Sequence, residues 1–161
     1  GIGLLVIEAA IMAGKGQSAA EITAAIEVLK PKVRASFVVD TLTYLYRGGR
    51  CNAVSAMAGG VLRLHPKIVV ENGAMDASKK YRGKINSVIM SYVKDMEKDL
   101  KSARPERVFI THSGCDRDTV NAVRSYLESF GIFHEILETR AGGVVSSHCG
   151  PGTLGVLFIA K

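Results

Sequence analysis

A histidine in a glycine-rich segment near the end of the chain is the first candidate for chemistry. His148 lies in the run Ser-Ser-His-Cys-Gly-Pro-Gly, directly before a turn and an apolar strand. An imidazole in that place can donate a hydrogen bond to a carboxylate at the mouth of an apolar pocket, with help from Ser146 or Ser147. A histidine that only caps a short helix would have the same surroundings, so both interpretations stay open.

Two arginines beside glycines are the second candidates. Arg50 follows Gly48-Gly49, and Arg82 precedes Gly83. Glycine leaves the guanidinium room to project, and its planar fork suits phosphate or carboxylate. A solvated arginine at the end of a helix is the ordinary alternative.

Other chemistries have little support in the sequence. The segment Gly150–Thr153 lacks the lysine of a phosphate loop, and it precedes a strand, whereas a phosphate loop precedes a helix. Cys115 after His112 and Cys149 after His148 match no usual spacing of zinc ligands. No Ser-His-Asp order and no paired carboxylates form a recognisable motif. A phosphate loop, a zinc site and direct catalysis therefore have little support in the residues, and we expect no cofactor or metal.

A strand and two helices must position the Gly-Gly-Arg segment. The apolar run Phe37–Val39 predicts a strand, and capping residues at 40–41 start a short helix that Gly48-Gly49 ends. Residues 52–64 are nearly all small and apolar, which predicts a helix that another surface approaches closely. Pro66 should end that helix.

The rest of the chain predicts an α/β fold. Asn72-Gly73 is a strong hairpin signal. The further predicted elements are strands at 67–70, 74–77, 107–111, 133–139 and 154–160, helices at 84–102 and 118–130, and a helical turn at 141–148. Residues 112–116 predict a loop and a cap, ending at Asp116, for the helix at 118–130. Strands that alternate unevenly with helices and include a hairpin favour a mixed six-stranded sheet in a two-layer domain.

Two helices are predicted ahead of this region. Residues 1–13 are apolar on nearly every face apart from Glu8, and Ser18 with Glu21 forms a capping box for a second helix. The chain has no initiator Met and begins inside a helix-like run, so we expect a fragment. We assign residues 1–34 to helices that join a missing N-terminal α/β domain, and residues 35–161 to a domain of their own.

Composition limits the class of protein. The 161 residues carry a net charge of +6, but aromatic residues make up 6% and no nucleic-acid-binding motif is present. Three cysteines without a CxxC pair favour a reducing compartment. The apolar start is too short to span a bilayer and lacks the features of a signal peptide. We predict a cytoplasmic protein without nucleic-acid partners or stable membrane insertion.

Several motifs in a fixed order resemble the DegV family. They are Thr41-Leu42 with Tyr44-Leu45, Gly48-Gly49-Arg50, Pro66, Gly73, Lys80-Tyr81-Arg82-Gly83, Thr111-His112-Ser113 and the run from His148 to Gly155. Each motif alone is weak, but their order and spacing are specific and cover the whole chain. The chain departs from the family at Cys51, where an aliphatic residue is commoner, and at Leu64-His65-Pro66, where Ile-Lys-Pro is commoner.

The resemblance implies a bacterial lipid-binding protein. In the family, a long-chain fatty acid lies between two halves of the protein, and the histidine that matches His148 hydrogen-bonds its carboxylate. Arg50 and Arg82 match arginines implicated in contact with a separate fatty acid kinase, which uses ATP to make an acyl phosphate for phospholipid synthesis. The family's N-terminal half would precede Gly1.

An enzyme is the rival hypothesis. Arg50, Arg82 and His148 could instead act on a phosphorylated substrate in a small-molecule kinase or a hydrolase. Only the lipid-binding hypothesis expects a fatty acid to accompany the purified protein.

Overall fold

A computed structural model describes residues 1–49, 64–71 and 73–161, which are built around one six-stranded sheet. The strands are β1 (Val33–Val38), β2 (Leu64–Glu71), β3 (Ala74–Arg82), β4 (Ala103–His112), β5 (Glu135–Arg140) and β6 (Leu154–Ala160). They lie in the order β3-β2-β1-β6-β4-β5. The pair β4 and β5 is parallel and the other neighbouring pairs are antiparallel, which confirms the predicted mixed sheet.

Helices cover both faces of this sheet. Those in the described part of the chain are α1 (Ile2–Gly14), α2 (Ala19–Leu29), α3 (Thr43–Arg47), α4 (Ile85–Asp95), α5 (Glu97–Lys101), α6 (Arg117–Glu128) and α7 (Gly143–Cys149), with a 3-10 turn at Lys30–Lys32. The helix predicted at 52–64 lies outside the described residues, apart from Leu64, which begins β2.

One face of the sheet carries the main hydrophobic core. Helix α4 is amphipathic and turns Val88, Ile89, Tyr92 and Val93 toward the sheet. Helix α6 covers the same face with its own apolar stripe, which includes Leu127. Fully burying each such side chain contributes about 1.5–3 kcal/mol. The packing of α4 and α6 holds in place the strands whose other side chains form the opposite face of the sheet.

Among the described residues, α1 and α2 cover one side of the opposite face of the sheet. Leu4 of α1 and Leu29 of α2 pack on Phe109 of β4 and Ile159 of β6. Gly3 brings α1 close to the sheet, because a Cβ on this residue would lie 3.2 Å from the ring of Phe109. The two N-terminal helices therefore find a partner surface within this sheet.

A buried ion pair also holds α1 in place. Glu8 of α1 is paired with Arg107 of β4, and both side chains are buried. Arg107 also donates from Nε to Glu135 of β5, at 3.2 Å. Removing either Glu8 or Arg107 would leave an uncompensated buried charge, so the pair fixes the position of α1 along β4.

The hydroxyl of Tyr92 joins the two central strands. It donates to the carbonyl of Ser36 at 2.8 Å and accepts from the backbone N–H of Val156 at 3.0 Å. Ser36 and Val156 are cross-strand partners in β1 and β6. Burial raises the pKa of Tyr92 to about 12, so the phenol remains a donor at neutral pH.

Local signals in the sequence are confirmed where the structure describes them. The side chain of Ser18 accepts from the backbone N–H of Glu21 and the carboxylate of Glu21 accepts from that of Ser18, which completes the capping box. Asp116 caps α6 by accepting from the N–H of Thr119. Gly73 turns the hairpin between β2 and β3 with a φ of +77°.

Most predicted elements differ from the structure by some residues at their ends, as β1 does at Val33–Val38 against the predicted 37–39, and two differences have a clear physical reason. The helix predicted at 84–102 is divided at Met96, where the backbone leaves the helical region, and the turn that follows buries Leu100. Pro66 lies inside β2 and does not precede the strand. A proline is tolerated there because the register of β2 on β3 shifts immediately afterwards, between Lys67 and Ile68.

Candidate functional site

The uncovered part of the second sheet face forms a groove of about 1200 Å³. Its floor consists of two cross-strand rows, each with one residue from four of the six strands. The first row is Val70, Ala35, Leu157 and Phe109, and the second is Phe37, Gly155, Thr111 and Thr139. The first row is apolar throughout, and the second changes from the ring of Phe37 to hydroxyls.

Helices form the walls of this groove. Gly1, Gly3 and Leu5 line it at the α1 side, and Leu45 of α3 with Val144 and Val145 of α7 lines it at the other. The groove follows β1, whose six residues span about 20 Å at a rise of about 3.3 Å per residue. Such a groove suits an elongated apolar molecule.

His148 lies at the end of the groove where β1 and β4 finish. Its side chain lines the groove, and its Nδ1 atom is buried without a hydrogen-bond partner in the described part of the chain. A buried polar atom left unpaired costs about 1–3 kcal/mol, so such an atom marks a place where a ligand or water is expected.

The position of His148 depends on two glycines. A Cβ on Gly48 would overlap the imidazole, with Nδ1 as its nearest atom, and a Cβ on Gly150 would overlap the ring of Tyr44. The imidazole of α7 thus packs on the glycine that follows α3, and the aromatic ring of Tyr44 in α3 packs on the glycine that follows α7. Gly150 also has a φ of +79°, which a side chain disfavours.

Polar side chains that the sequence argument did not select line the same end. The hydroxyls of Thr111 and Thr139 are 2.7 Å apart on the floor of the groove. Arg140 borders both the groove and a smaller adjoining pocket of about 330 Å³. These residues come together only through the parallel register of β4 and β5, which the sequence alone does not reveal.

A hydrogen-bond network beside the groove holds the ends of β4 and β5 together. The backbone N–H of Cys115 donates to Nδ1 of His112 at 3.2 Å, so Nε2 carries the proton and donates to Glu138 at 3.3 Å. Glu138 also accepts from Arg117, at 2.9 Å. The hydrogen bond from His112 and the charge of Arg117 lower the pKa of Glu138 below its usual value.

The predicted site residues are not all in the groove. Arg82 is exposed at the end of the edge strand β3 and is absent from the groove lining. Ser147 is exposed and donates to the carbonyl of Val144, so its part in ligand binding stays a prediction. Arg50 lies outside the described residues.

His65 is a buried side chain near Arg82 that the sequence argument treated only as a departure from a motif. Its Nε2 is 3.0 Å from the carbonyl of Gly83, and its Nδ1 is 3.3 Å from the carbonyl of Val39. The ring thus connects the turn after Arg82 to the end of β1.

The histidine and cysteine pairs do not assemble a metal site in the described chain. No group of three or more possible ligands occurs there. Burial raises the pKa of the Cys115 thiol to about 11, and burial also raises the pKa of Cys149. Both thiols are therefore protonated at neutral pH and are poor nucleophiles.

The fold and the groove define an α/β domain that can hold a long apolar molecule along its sheet and a polar group at α7. A sequence model described as "Uncharacterised protein, DegV family" matches residues 1–161. The chain belongs to the DegV family.

Curated relatives are longer than this chain. A DegV domain-containing protein of Caldanaerobacter subterraneus is 31% identical over 163 residues, which cover 100% of this chain and 57% of that protein. One of Clostridium perfringens is 34% identical, with 99% of this chain and 54% of that protein covered. The chain thus spans somewhat more than half the length of these relatives.

Solved structures share the fold. A fatty-acid-binding DegV family protein of Thermus thermophilus has a TM-score of 0.85 at 30% identity, and it covers 99% of this chain and 56% of its own. DegV of Bacillus subtilis, described as a fatty acid binding protein, has a TM-score of 0.77 at 26% identity, over 99% of this chain and 56% of its own. The Streptococcus pneumoniae Fatty Acid Kinase B3 protein, loaded with linoleic acid, has a TM-score of 0.83 at 18% identity, over 99% and 56%.

The helices of the described residues are also too short or too polar to cross a bilayer.

Proposed function

We propose that this chain forms one wall of a site for a long-chain fatty acid, with the acyl chain in the groove and the carboxylate at His148. The observation that carries the proposal is the imidazole of His148, which lines one end of an apolar floor and has no hydrogen-bond partner among the described residues. Its Nδ1 edge lies against Gly48, so we place the carboxylate at Nε2 on the other side of the ring, where it supplies the acceptor that a protonated Nε2 lacks. The bond is charge-assisted and is stronger than a bond between neutral groups.

The driving force for the acyl chain is the hydrophobic effect. Each methylene removed from water contributes about 0.8 kcal/mol, and the floor around Phe37, Phe109 and Leu157 offers an apolar surface of the right length. The described residues leave the groove open on the side away from the sheet. We propose that a further N-terminal domain, for which the longer relatives have room, covers the acyl chain there.

The orientation of the fatty acid follows from the two ends of the groove. Lys30 and Arg34 line the end opposite His148, but they already have partners. Lys30 is paired with Glu27, and Arg34 donates to the carbonyls of Pro31 and Val33. The imidazole of His148 lines the groove and has no hydrogen-bond partner among the described residues, so we place the carboxylate there.

The relatives support this ligand class. The Thermus thermophilus and Bacillus subtilis proteins are described as binding fatty acids, and both exceed 25% identity to this chain. The Streptococcus pneumoniae protein adds a fatty acid kinase to the description at lower identity, so its support is for the fold.

We further propose that the chain is a binding subunit and that a separate ATP-dependent kinase phosphorylates the bound carboxylate. In this proposal Arg50 and Arg82 serve the kinase surface or the phosphoryl group, and neither touches the acyl chain. The exposed position of Arg82 at the end of β3, outside the groove lining, is consistent with that role.

The experiment is solvent extraction of the purified full-length gene product followed by mass spectrometry. We expect a fatty acid in near-stoichiometric amount, and a much smaller amount from the variant His148→Ala. A protein that yields no fatty acid and does not bind one added to it would favour the rival enzyme that acts on a phosphorylated substrate.

A further inference from the structure

The inference concerns a pair of hydroxyls on the floor of the groove. Thr111 and Thr139 are cross-strand partners in β4 and β5, and their Oγ1 atoms are 2.7 Å apart. Both residues are half-buried and line the groove. They are a polar spot in a floor that is otherwise apolar.

The hydrogen bond between the two hydroxyls leaves one donor hydrogen of the pair without an acceptor in the described part of the chain. Two hydroxyls carry two hydrogens, and the hydrogen bond between them takes one. Neither hydroxyl has another hydrogen-bond partner among the residues that the structure describes. The second hydrogen and the remaining lone pairs are therefore available to a ligand in the groove.

The neighbours of the pair leave it accessible to a ligand. The cross-strand partner of Thr111 on its other side is Gly155, which has no side chain to cover the hydroxyl. Phe109 and Leu157 continue the floor as apolar surface. A plain methylene chain in this place would strip water from the hydroxyls and offer them nothing in return, which carries a cost in affinity.

We propose that the groove selects an acyl chain with one hydroxyl substituent, which meets the Thr111–Thr139 pair. This inference rests on the proposed function, since it assumes that a fatty acid occupies the groove. A ligand hydroxyl can accept the free hydrogen and donate to a lone pair, so it matches the pair in both directions. The ligand class is thus a long-chain monohydroxylated fatty acid.

A cross-strand threonine pair can also serve the sheet alone, because such pairs stabilise neighbouring strands. That role predicts an effect on the free energy of unfolding and no effect on the choice of ligand. Ligand selectivity therefore separates the two roles.

The test is a binding series with octadecanoic acid and its monohydroxylated isomers, measured on the full-length gene product. We expect one isomer, or two neighbouring ones, to bind more tightly than octadecanoic acid, by about threefold or more. Isomers with the hydroxyl elsewhere should bind about tenfold more weakly, because their hydroxyl is buried without a partner. The double variant Thr111→Val with Thr139→Val should weaken the preferred isomer about tenfold and strengthen the binding of octadecanoic acid about threefold, because no protein hydroxyl is then stripped of water.

Two further variants control the comparison. The double variant Thr111→Ser with Thr139→Ser keeps both hydroxyls and should keep the preference. Thr23→Val removes an exposed hydroxyl on α2, away from the groove, and should change nothing. Binding of octadecanoic acid without a preference for any isomer, or a preference that survives the valine variants, would overturn this inference alone. Failure of every acid to bind would overturn the proposed function as well.

Discussion

The imidazole of His148 lies directly against the backbone of Gly48, so closely that even a methyl group on Gly48 would overlap the ring. The two residues are far apart in the sequence, since His148 lies in α7 and Gly48 directly follows α3. This contact fixes the orientation of the ring, with the buried Nδ1 toward Gly48 and Nε2 on the opposite side. The glycine pair that ends α3 is thus also the surface that holds the candidate ligand-binding histidine.

The first prediction tests this contact. Gly48→Ala should displace the ring of His148 and weaken fatty-acid binding about tenfold or more, because a carboxylate hydrogen bond depends on the position of the ring. Calorimetric titration with hexadecanoic acid would measure the change. Gly14→Ala is the matched control, since a Cβ there meets nothing within 4 Å, and it should bind normally. Equal affinity for the two variants would show that Gly48 serves only as a helix end.

The second prediction concerns His148 itself. His148→Ala removes the proposed donor and should cost about 1.5–3 kcal/mol of binding free energy, the range for a hydrogen bond to a charged group. His134→Ala, which removes an exposed imidazole outside the groove lining, should leave affinity within about twofold. A loss for His134→Ala as large as that for His148→Ala would contradict the assignment of the carboxylate to His148.

The third prediction separates binding from phosphorylation. Arg82→Ala and Arg50→Ala should keep fatty-acid affinity and lose acyl phosphate formation in the presence of the partner kinase. Arg82→Lys should restore only part of the activity, because the bidentate fork is lost. Lys80→Ala removes a neighbouring exposed charge on β3 and serves as the control. Normal turnover of both alanine variants at saturating kinase would mean that the arginines are merely solvated.

The fourth prediction concerns acid stability. The pKa of Glu138 is lowered in the folded protein, first by the hydrogen bond from His112 and then by Arg117. A depressed carboxyl pKa stabilises the fold above the unfolded value of 4.5, and that contribution is lost as the pH falls through the folded value.

Glu138→Gln should therefore lower the free energy of unfolding at neutral pH and flatten its decline below pH 4.5. Urea unfolding at a series of pH values would measure both effects. Glu128→Gln, at the exposed end of α6, should keep the slope of the native protein. An unchanged acid limb in Glu138→Gln would show that the network with His112 does not contribute to stability.

The sequence predicts the parts of this fold that depend on interactions between residues close together in the chain. The capping box at Ser18, the cap at Asp116 and the hairpin at Gly73 depend on residues within a few positions of each other, and all three are present. The mixed sheet followed from the order of strands and helices.

The groove could not be predicted in this way, because it depends on which sheet face the helices leave open. That choice is made by distant contacts, such as Leu4 on Phe109 and Glu8 with Arg107. The Thr111–Thr139 pair likewise depends on the register of two parallel strands. His148 was predictable because its glycine-rich surroundings are local.

The most direct test of the account is the position of a bound fatty acid. Isotope-filtered NMR of the full-length gene product with labelled hexadecanoic acid would record contacts between protons of the ligand and the protein. We predict contacts of the acyl chain with the rings of Phe37 and Phe109, and contacts of the methylene beside the carboxylate with the ring of His148. An acyl chain that contacts neither ring, or a carboxylate end that lies beside Lys30 and Arg34, would contradict the account.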